Sequence, residues 1–241
     1  MRFLLYNIRY GTGRRVRWGW FDTLRRTSSH LEDIARFMAA CRPDVVGLVE
    51  MDSGSYRSRR RNQAEVLAER LGHYHAFQVK YRERGLFTRL PILSTQANAF
   101  LSRDVIHNEI FHYFERGCKR LVIELELEKV NLFLVHLALF FRTRQHQLAD
   151  LHDLVLGSDK PCIVAGDFNV FAGEREIRLF MKATGLRSVN AAQRPTYPSW
   201  APWRELDFIM HSPGLRVRRF RMPPVRLSDH LPLLCDFDLD L

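Results

Sequence analysis

The sequence lacks the features that divide a chain into several domains or place it in a membrane. Its 241 residues contain no Pro/Gly/Ser-rich linker, low-complexity tract or internal repeat, which favours one domain over two. No apolar run approaches the ~18 residues that a membrane-spanning helix needs. The N-terminal segment Met1–Ile8 has the pattern of a strand rather than of a secretory signal. We therefore expect residues 1–241 to form a single cytoplasmic domain.

Cysteine is scarce, and its spacing contains no CxxC pair. Three of the four cysteines lie in apolar runs, which predicts buried free thiols and a reducing compartment. The four are Cys41, Cys118, Cys162 and Cys235.

Acidic residues are outnumbered, with 27 Asp and Glu against 37 Lys and Arg, and the net charge is +10. Most of the excess is arginine, whose planar guanidinium suits bidentate contact with phosphate. The charge therefore predicts a phosphate-rich partner: nucleic acid, an anionic membrane surface or a phosphorylated small molecule. A solvated surface with no such partner has the same composition, so charge alone does not decide.

One apolar run ends in a polar pair that suits metal or phosphate chemistry. Cys162–Ala165 has the pattern of a buried strand, and Gly166 then precedes Asp167 and Asn169. A carboxylate and a carboxamide two residues apart suit a hard cation, or a water poised to attack phosphorus. A simple polar turn contains the same residue types.

Similar polar side chains stand at or near the ends of several other predicted strands, where loops gather residues into one cleft. Oxygen ligands with retained waters suit Mg²⁺, whereas several histidines with carboxylates suit zinc. The spacing has no HxxxH or HxH element, which favours magnesium. Together with Asp167 and Asn169, these side chains make a set of eight: Asn7, Glu50, His136, Asp167, Asn169, Asp207, Asp229 and His230.

The order of elements predicts the fold class. Helical periodicity alternates with strands early, as in the face Ala64–Leu71 between an N-cap at Asn62 and a closing Gly72. Hairpin-like strand pairs fill the middle of the chain. This mixture predicts an α/β four-layered sandwich, with two packed mixed β-sheets flanked by helices.

The whole pattern, from Phe3 to about Leu239, resembles the endonuclease/exonuclease/phosphatase superfamily of pancreatic deoxyribonuclease-like hydrolases. Each matching piece is short, and the order and the gaps between the pieces carry the resemblance. The pieces are the opening strand to Asn7, Pro43–Glu50, Val135–Leu137, Gly166–Asn169, Leu206–Ile209 and Ser228–Pro232.

The resemblance implies a metal-dependent phosphoester hydrolase and assigns roles to its residues. Glu50 would be the main ligand of Mg²⁺, or of Mn²⁺ as a substitute, with Asn7 beside it and Asp229 near the metal. Asp167 would align or deprotonate the attacking water, and Asn169 would hold a phosphate oxygen. In the same way, the resemblance places His230 at the phosphate with Asp207 fixing its tautomer, and makes His136 the second histidine of the site.

Two further assignments rest on local matches to relatives. Glu83 resembles the acid that pairs with the second histidine in the deoxyribonuclease branch, although an exposed loop glutamate has the same setting. Arg116 falls where relatives often place a phosphate-facing arginine.

The resemblance defines the bond that is cleaved but not the substrate. The +10 charge and the arginine clusters favour phosphodiester bonds of nucleic acid. The alternative is a phospholipid or inositol-phosphate phosphodiesterase that meets an anionic membrane through the tryptophans of residues 14–21 and 198–203. A non-catalytic binding module is disfavoured because the polar positions of the motifs are all present. The sequence contains no signal for oligomeric state.

Overall fold

A computed structural model describes residues 1–13, 20–79, 95–117, 119–171 and 173–239, with only the backbone described for 20–28 and 57. These ranges contain twelve strands and four α-helices. The strands are β1 (Arg2–Asn7), β2 (Val45–Asp52), β3 (Tyr74–Val79), β4 (Gln96–Ser102), β5 (Asn108–Tyr113), β6 (Leu121–Glu126), β7 (Asn131–His136), β8 (Cys162–Asp167), β9 (Arg187–Ser188), β10 (Asp207–His211), β11 (Arg216–Arg221) and β12 (Leu233–Asp238). The helices are α1 (Trp20–Cys41), α2 (Gln63–Leu71), α3 (Phe141–Leu156) and α4 (Arg175–Thr184).

The strands form two six-stranded sheets. Sheet one has the order β11-β12-β1-β2-β4-β3, and sheet two has the order β5-β6-β7-β8-β10-β9. Each sheet contains one parallel pair, β1 with β2 and β7 with β8, among antiparallel neighbours. Both sheets are therefore mixed, as the sequence predicts.

The two sheets pack face to face, with a helix pair on each outer surface. Alternation along β1 sends Phe3 and Leu5 into the core between the sheets, and Leu4 and Tyr6 toward α1 and α2. A third apolar cluster lies between sheet two and helices α3 and α4. The predicted four-layered α/β sandwich is confirmed.

Local signals in the sequence are also confirmed at helix α2. The side chain of Asn62 accepts a hydrogen bond from the Ala64 amide, which satisfies one of the free N–H groups of the first turn. Gly72 ends the helix in the left-handed conformation, with φ of 66°.

The structure bears on the predictions about the cysteines and about membrane-spanning helices. Cys41, Cys162 and Cys235 are free thiols, and the last two are buried. Cys118 lies outside the described residues. Within the described ranges, no helix has both the length and the apolar character that crossing a bilayer requires.

Candidate active site

Three strands of sheet two meet at the same edge, where β7 and β8 end and β10 begins, and each places a polar side chain there. In the parallel pair of β7 and β8, His136 is the register partner of Asp167, and in the antiparallel pair with β10 the partner of Asp167 is Asp207. Carboxyl ends of parallel strands meet at one edge of a sheet, and β10 begins where β8 ends. His136, Asp167 and Asp207 are therefore neighbours by register alone, and all three are buried.

Gly166 makes the end of β8 sterically special. Its φ is +150°, and a Cβ at this position would stand 1.9 Å from the carbonyl oxygen of Val135. Only glycine permits so close an approach of strand β8 to strand β7. The glycine thus sets the position of the carboxylate of Asp167, the next residue.

Sheet one contributes Asn7 from the end of β1. The side-chain Nδ2 of Asn7 donates a hydrogen bond to Asp167 Oδ2 at 3.1 Å, which links the two sheets at the site. The oxygen of the same amide accepts from the Arg9 backbone N–H at 3.1 Å. The orientation of the amide is therefore determined from both sides.

Glu50 reaches the site through a β-bulge. Leu48 pairs with Ala99 and Met51 with Ala97, so Val49 and Glu50 together oppose Asn98. Glu50 has a φ of 55°, unusual for a residue other than glycine. We expected the strand to end at Glu50, but it continues to Asp52. The bulge directs the Glu50 carboxylate toward His136, with Glu50 Oε1 3.8 Å from His136 Nε2.

Asp167 lies at the centre of the site in a dry, hydrogen-bonded environment. Its Oδ1 accepts from the Asn169 backbone N–H at 3.0 Å, and Asn169 donates its own side-chain N–H to the Leu137 carbonyl at 2.8 Å. Burial, together with the carboxylates of Asp207 and Glu50, raises the pKa of Asp167 to about 6, against the opposing charges of His230 and Lys119.

His230 is oriented by a chain of two hydrogen bonds. Its Nδ1 donates to Asp207 Oδ2 at 2.8 Å, and the hydroxyl of Thr196 donates to the same oxygen at 2.6 Å. Burial disfavours the imidazolium, but the adjoining Asp207 carboxylate and the charge of Asp167 outweigh it and raise the pKa of His230 to about 10. With Nδ1 occupied, the other ring nitrogen, Nε2, faces Asp167 Oδ2 at 3.9 Å.

Lys119 is a cation of this site that sequence reasoning missed. Its ammonium group contacts His136 Nε2. Because an ammonium only donates, His136 accepts through this nitrogen, which lies 3.6 Å from Asp167 Oδ2. The one available signal was its position just before the alternating strand β6, which does not distinguish a site residue from a surface lysine.

Two other sequence-predicted residues are not part of this hydrogen-bonded cluster, and a third lies outside the described chain. Asp229 adjoins His230 in the chain but pairs with Arg9, whose Nε is 3.3 Å from Asp229 Oδ2. Arg116 is exposed, and its guanidinium faces His146 Nε2 at 2.9 Å. Three residues further on, Lys119 supplies the positive charge that reaches the cluster. Glu83 lies outside the described residues.

The donor set suits a hard divalent cation. Within the described residues, ligand atoms of Asp167, Asp207 and His230 lie within 4.8 Å of one another. All three already have hydrogen-bond partners: Asp207 accepts from His230 and Thr196, and Asp167 accepts from Asn7 and from the Asn169 backbone. Glu50 is one-fifth exposed at its side chain, so its carboxylate is the one that an entering cation meets first. We therefore favour Glu50 and the Asn7 oxygen as the ligands, which is oxygen chemistry typical of Mg²⁺ or Mn²⁺.

Comparison with known proteins shows the class to which this fold belongs. The sequence model of the Endonuclease/Exonuclease/phosphatase family matches residues 4–230. The chain belongs to this family, whose members are phosphoester hydrolases and generally depend on a divalent metal.

Individual relatives are more distant. A UPF0294 protein of Erwinia tasmaniensis is 32% identical over 112 residues, which cover 46% of this chain and 41% of the relative. The match thus spans about two fifths of that relative's length. A family member from Bacteroides thetaiotaomicron has a TM-score of 0.75 at 15% identity, over 100% of this chain and 95% of its own. The human Nocturnin catalytic domain has a TM-score of 0.69 at 22% identity, over 99% and 93%. At these levels of identity, the two structural matches show a shared fold only.

Proposed function

We propose that the protein is a divalent-metal-dependent hydrolase of phosphodiester bonds in nucleic acid. The observation that carries the proposal is the buried pair of Asp167 and the Asp207-oriented His230, whose reactive atoms lie 3.9 Å apart. A carboxylate and an oriented imidazole at this spacing suit a water and a phosphate held side by side.

Each residue of the cluster has a role in in-line attack by water. The carboxylate of Asp167 accepts a hydrogen bond from the water and directs its lone pair toward phosphorus. With its pKa raised to about 10, His230 is an imidazolium that donates from both nitrogens: Nδ1–H to Asp207, which holds the ring in place, and Nε2–H to a non-bridging phosphate oxygen. The Asn169 amide lies beside Asp167, where it holds a second oxygen.

Positive charge at the other side of the cluster completes the site. Glu50 and Asn7 would hold the divalent cation, which when bound would supply positive charge against the negative charge that develops on the phosphate oxygens. Lys119 adds a fixed positive charge next to His136, and the buried surroundings strengthen its effect. His136 Nε2 accepts from Lys119 and so orients the ammonium group toward the substrate.

The surface charge supports nucleic acid as the substrate. The net charge is +10, and exposed arginines follow β2 at Arg59, Arg60 and Arg61, on the same side as Glu50. Affinity for a polyanion is expected to fall steeply with salt.

The test is hydrolysis by the wild type and by Asp167→Asn, with bis-p-nitrophenyl phosphate and a labelled oligonucleotide as substrates. We expect activity that EDTA abolishes and that Mg²⁺ or Mn²⁺ restores, and a loss of roughly 10³-fold in kcat for the variant. A melting temperature close to that of the wild type would show that the variant is folded. An Asp167→Asn protein with near-normal turnover would refute the assignment, and inertness of the wild type toward oligonucleotides would refute the substrate.

A further inference from the structure

Exposed aromatic side chains are concentrated on the loops around the candidate site. The described part of the chain has seven of them, and Tyr74 alone lies at the opposite end of the sheets. The others follow β2, β7 or β8, or precede β10, and thus stand at the edge where the site lies. We name these six the aromatic rim: Tyr56, Phe140, Phe141, Phe171, Trp200 and Trp203.

The most exposed ring is presented by a firmly held segment. Phe140 is 80% exposed, yet the preceding backbone is anchored from below. Buried Arg144 donates from Nη1 to the carbonyls of Ala138 and Leu139 at 2.9 and 2.8 Å. Gln147 accepts from the Ala138 N–H at 2.8 Å. A ring held outward on such an anchor is prepared for a contact rather than exposed by fraying.

The opposite wall connects the rim to the catalytic histidine through ring contacts. The ring of Phe171 lies 5.8 Å from that of Tyr197, and Tyr197 lies 4.9 Å from the His230 imidazole. Phe171 of the rim is therefore connected, through the ring of Tyr197, to the imidazole that we assign to the phosphate. A group bound on these rings would be adjacent to the bond being cleaved.

Two rings of the rim carry stacked guanidinium groups. Arg60 lies over Tyr56 at 5.1 Å and Arg204 over Trp203 at 4.6 Å, both measured to the ring centroid. Alternating aromatic and cationic groups match a ligand that alternates flat rings and phosphates. Single-stranded nucleic acid has this pattern, because its base faces are open, whereas a duplex covers them by stacking.

A bilayer fits the same groups less well. Asp167 and His230 are buried, and the exposed rings come from four different segments, which follow β2, β7 and β8 or precede β10. A flexible strand can bend and place a base on rings of different segments. We propose that the aromatic rim holds unpaired nucleobases on both sides of the scissile phosphodiester, so that the substrate is single-stranded nucleic acid. This inference rests on the proposed function.

The experiment compares a single strand, its duplex and the same strand with abasic sites flanking the scissile bond. The proteins are wild type, Phe140→Ser, Trp203→Ser and the matched control Tyr74→Ser, which removes the exposed ring at the far end. We expect the wild type to prefer the single strand over the duplex. Each rim substitution should raise KM for the single strand about tenfold with little change in kcat, because one stacking contact is lost. Neither should weaken action on the abasic strand, and Tyr74→Ser should behave as wild type.

Equal kcat/KM on single strand and duplex would overturn the inference. It would also be overturned if the rim variants lost as much kcat/KM on the abasic strand as on the intact single strand. Binding of the wild type to anionic phosphatidylglycerol vesicles that is lost in Phe140→Ser, with unchanged oligonucleotide kinetics, would assign the rim to a membrane and also overturn it. Hydrolysis of bis-p-nitrophenyl phosphate without cleavage of any oligonucleotide would instead defeat the nucleic-acid proposal beneath it.

Discussion

The two sheets contribute to the candidate site in different ways. The edge of sheet two holds buried, mutually hydrogen-bonded groups, in which Asp207 is fixed by Thr196 and in turn fixes His230. The edge of sheet one contributes Glu50, whose side chain is partly exposed. The backbone N–H of Glu50 donates a long hydrogen bond of 3.4 Å to the side chain of Asn98. One edge is thus organised by internal hydrogen bonds, and the other has a carboxylate accessible to an ion. We propose that this difference separates preorganised acid–base chemistry from cation binding.

The largest expected effect tests the geometry on which the edge of sheet two depends. Gly166→Ala should abolish folding or leave insoluble protein, because its Cβ would stand 1.9 Å from the Val135 carbonyl oxygen. Gly72→Ala is the matched control: its φ is also positive, but nothing lies within 4 Å, so a cost of about 1 to 2 kcal/mol is expected. The measurement is soluble yield and chemical unfolding. A soluble Gly166→Ala protein with unchanged stability would show that β7 and β8 do not approach this closely.

The edge of sheet one is tested by Glu50→Gln. If Glu50 captures the cation, loss of its charge should raise the Mg²⁺ concentration that gives half-maximal activity by about tenfold or more. Metal-induced thermal stabilisation gives a second readout that does not depend on turnover. An unchanged metal response in both measurements would mean that the cation binds on the Asp167 side. The proposed distinction between the two edges would then be wrong.

Thr196→Val tests the edge of sheet two without changing a residue that we assign to the reaction. The hydroxyl donates to Asp207, so its loss should let the His230 ring turn and lower kcat roughly tenfold. The half-maximal Mg²⁺ concentration should stay the same, in contrast to Glu50→Gln. Partial recovery in Thr196→Ser would show that the hydrogen bond, and not packing, is responsible. A shifted metal response in Thr196→Val would mean that the two edges act as one unit.

The smallest expected effect is a change in how stability depends on pH, caused by the burial of Glu205 just before β10. Burial raises the pKa of Glu205 to about 8, although its hydrogen bond from Asn190 favours the charged form. The folded state therefore keeps a proton that the unfolded chain releases near the ordinary glutamate pKa of 4.5. The unfolding free energy should consequently fall as pH rises from about 4.5 to 8.

Glu205→Gln retains the acceptor for Asn190 and has no charge to bury. We expect its melting temperature to exceed that of the wild type at pH 8.5 and to match it near pH 4. The comparison requires only thermal unfolding at the two values. Parallel curves for the two proteins across this range would show that Glu205 is not held in a dry environment.

The sequence was most informative where a signal is local. The apolar run before Gly166, the N-cap at Asn62 and the closing Gly72 each reflect the chemistry of a few consecutive residues, and the structure has them as predicted. The motif order also sufficed for the family and for the four-layered fold. Lys119 and Thr196 were missed because a lysine before a strand and a threonine in a loop have no distinctive pattern.

Local patterns were enough to show which strands are buried and which acids, amides and histidines follow them, because hydrophobic periodicity and turn chemistry act over short distances. The folded structure was needed to show that Asn7 donates to Asp167 across the two sheets, and that a bulge opposite Asn98 turns Glu50 toward the same place. It also showed that Lys119, and not Arg116, brings positive charge to His136. These contacts join residues far apart in the chain, and strand register and sheet packing, which set them, are properties of the whole fold.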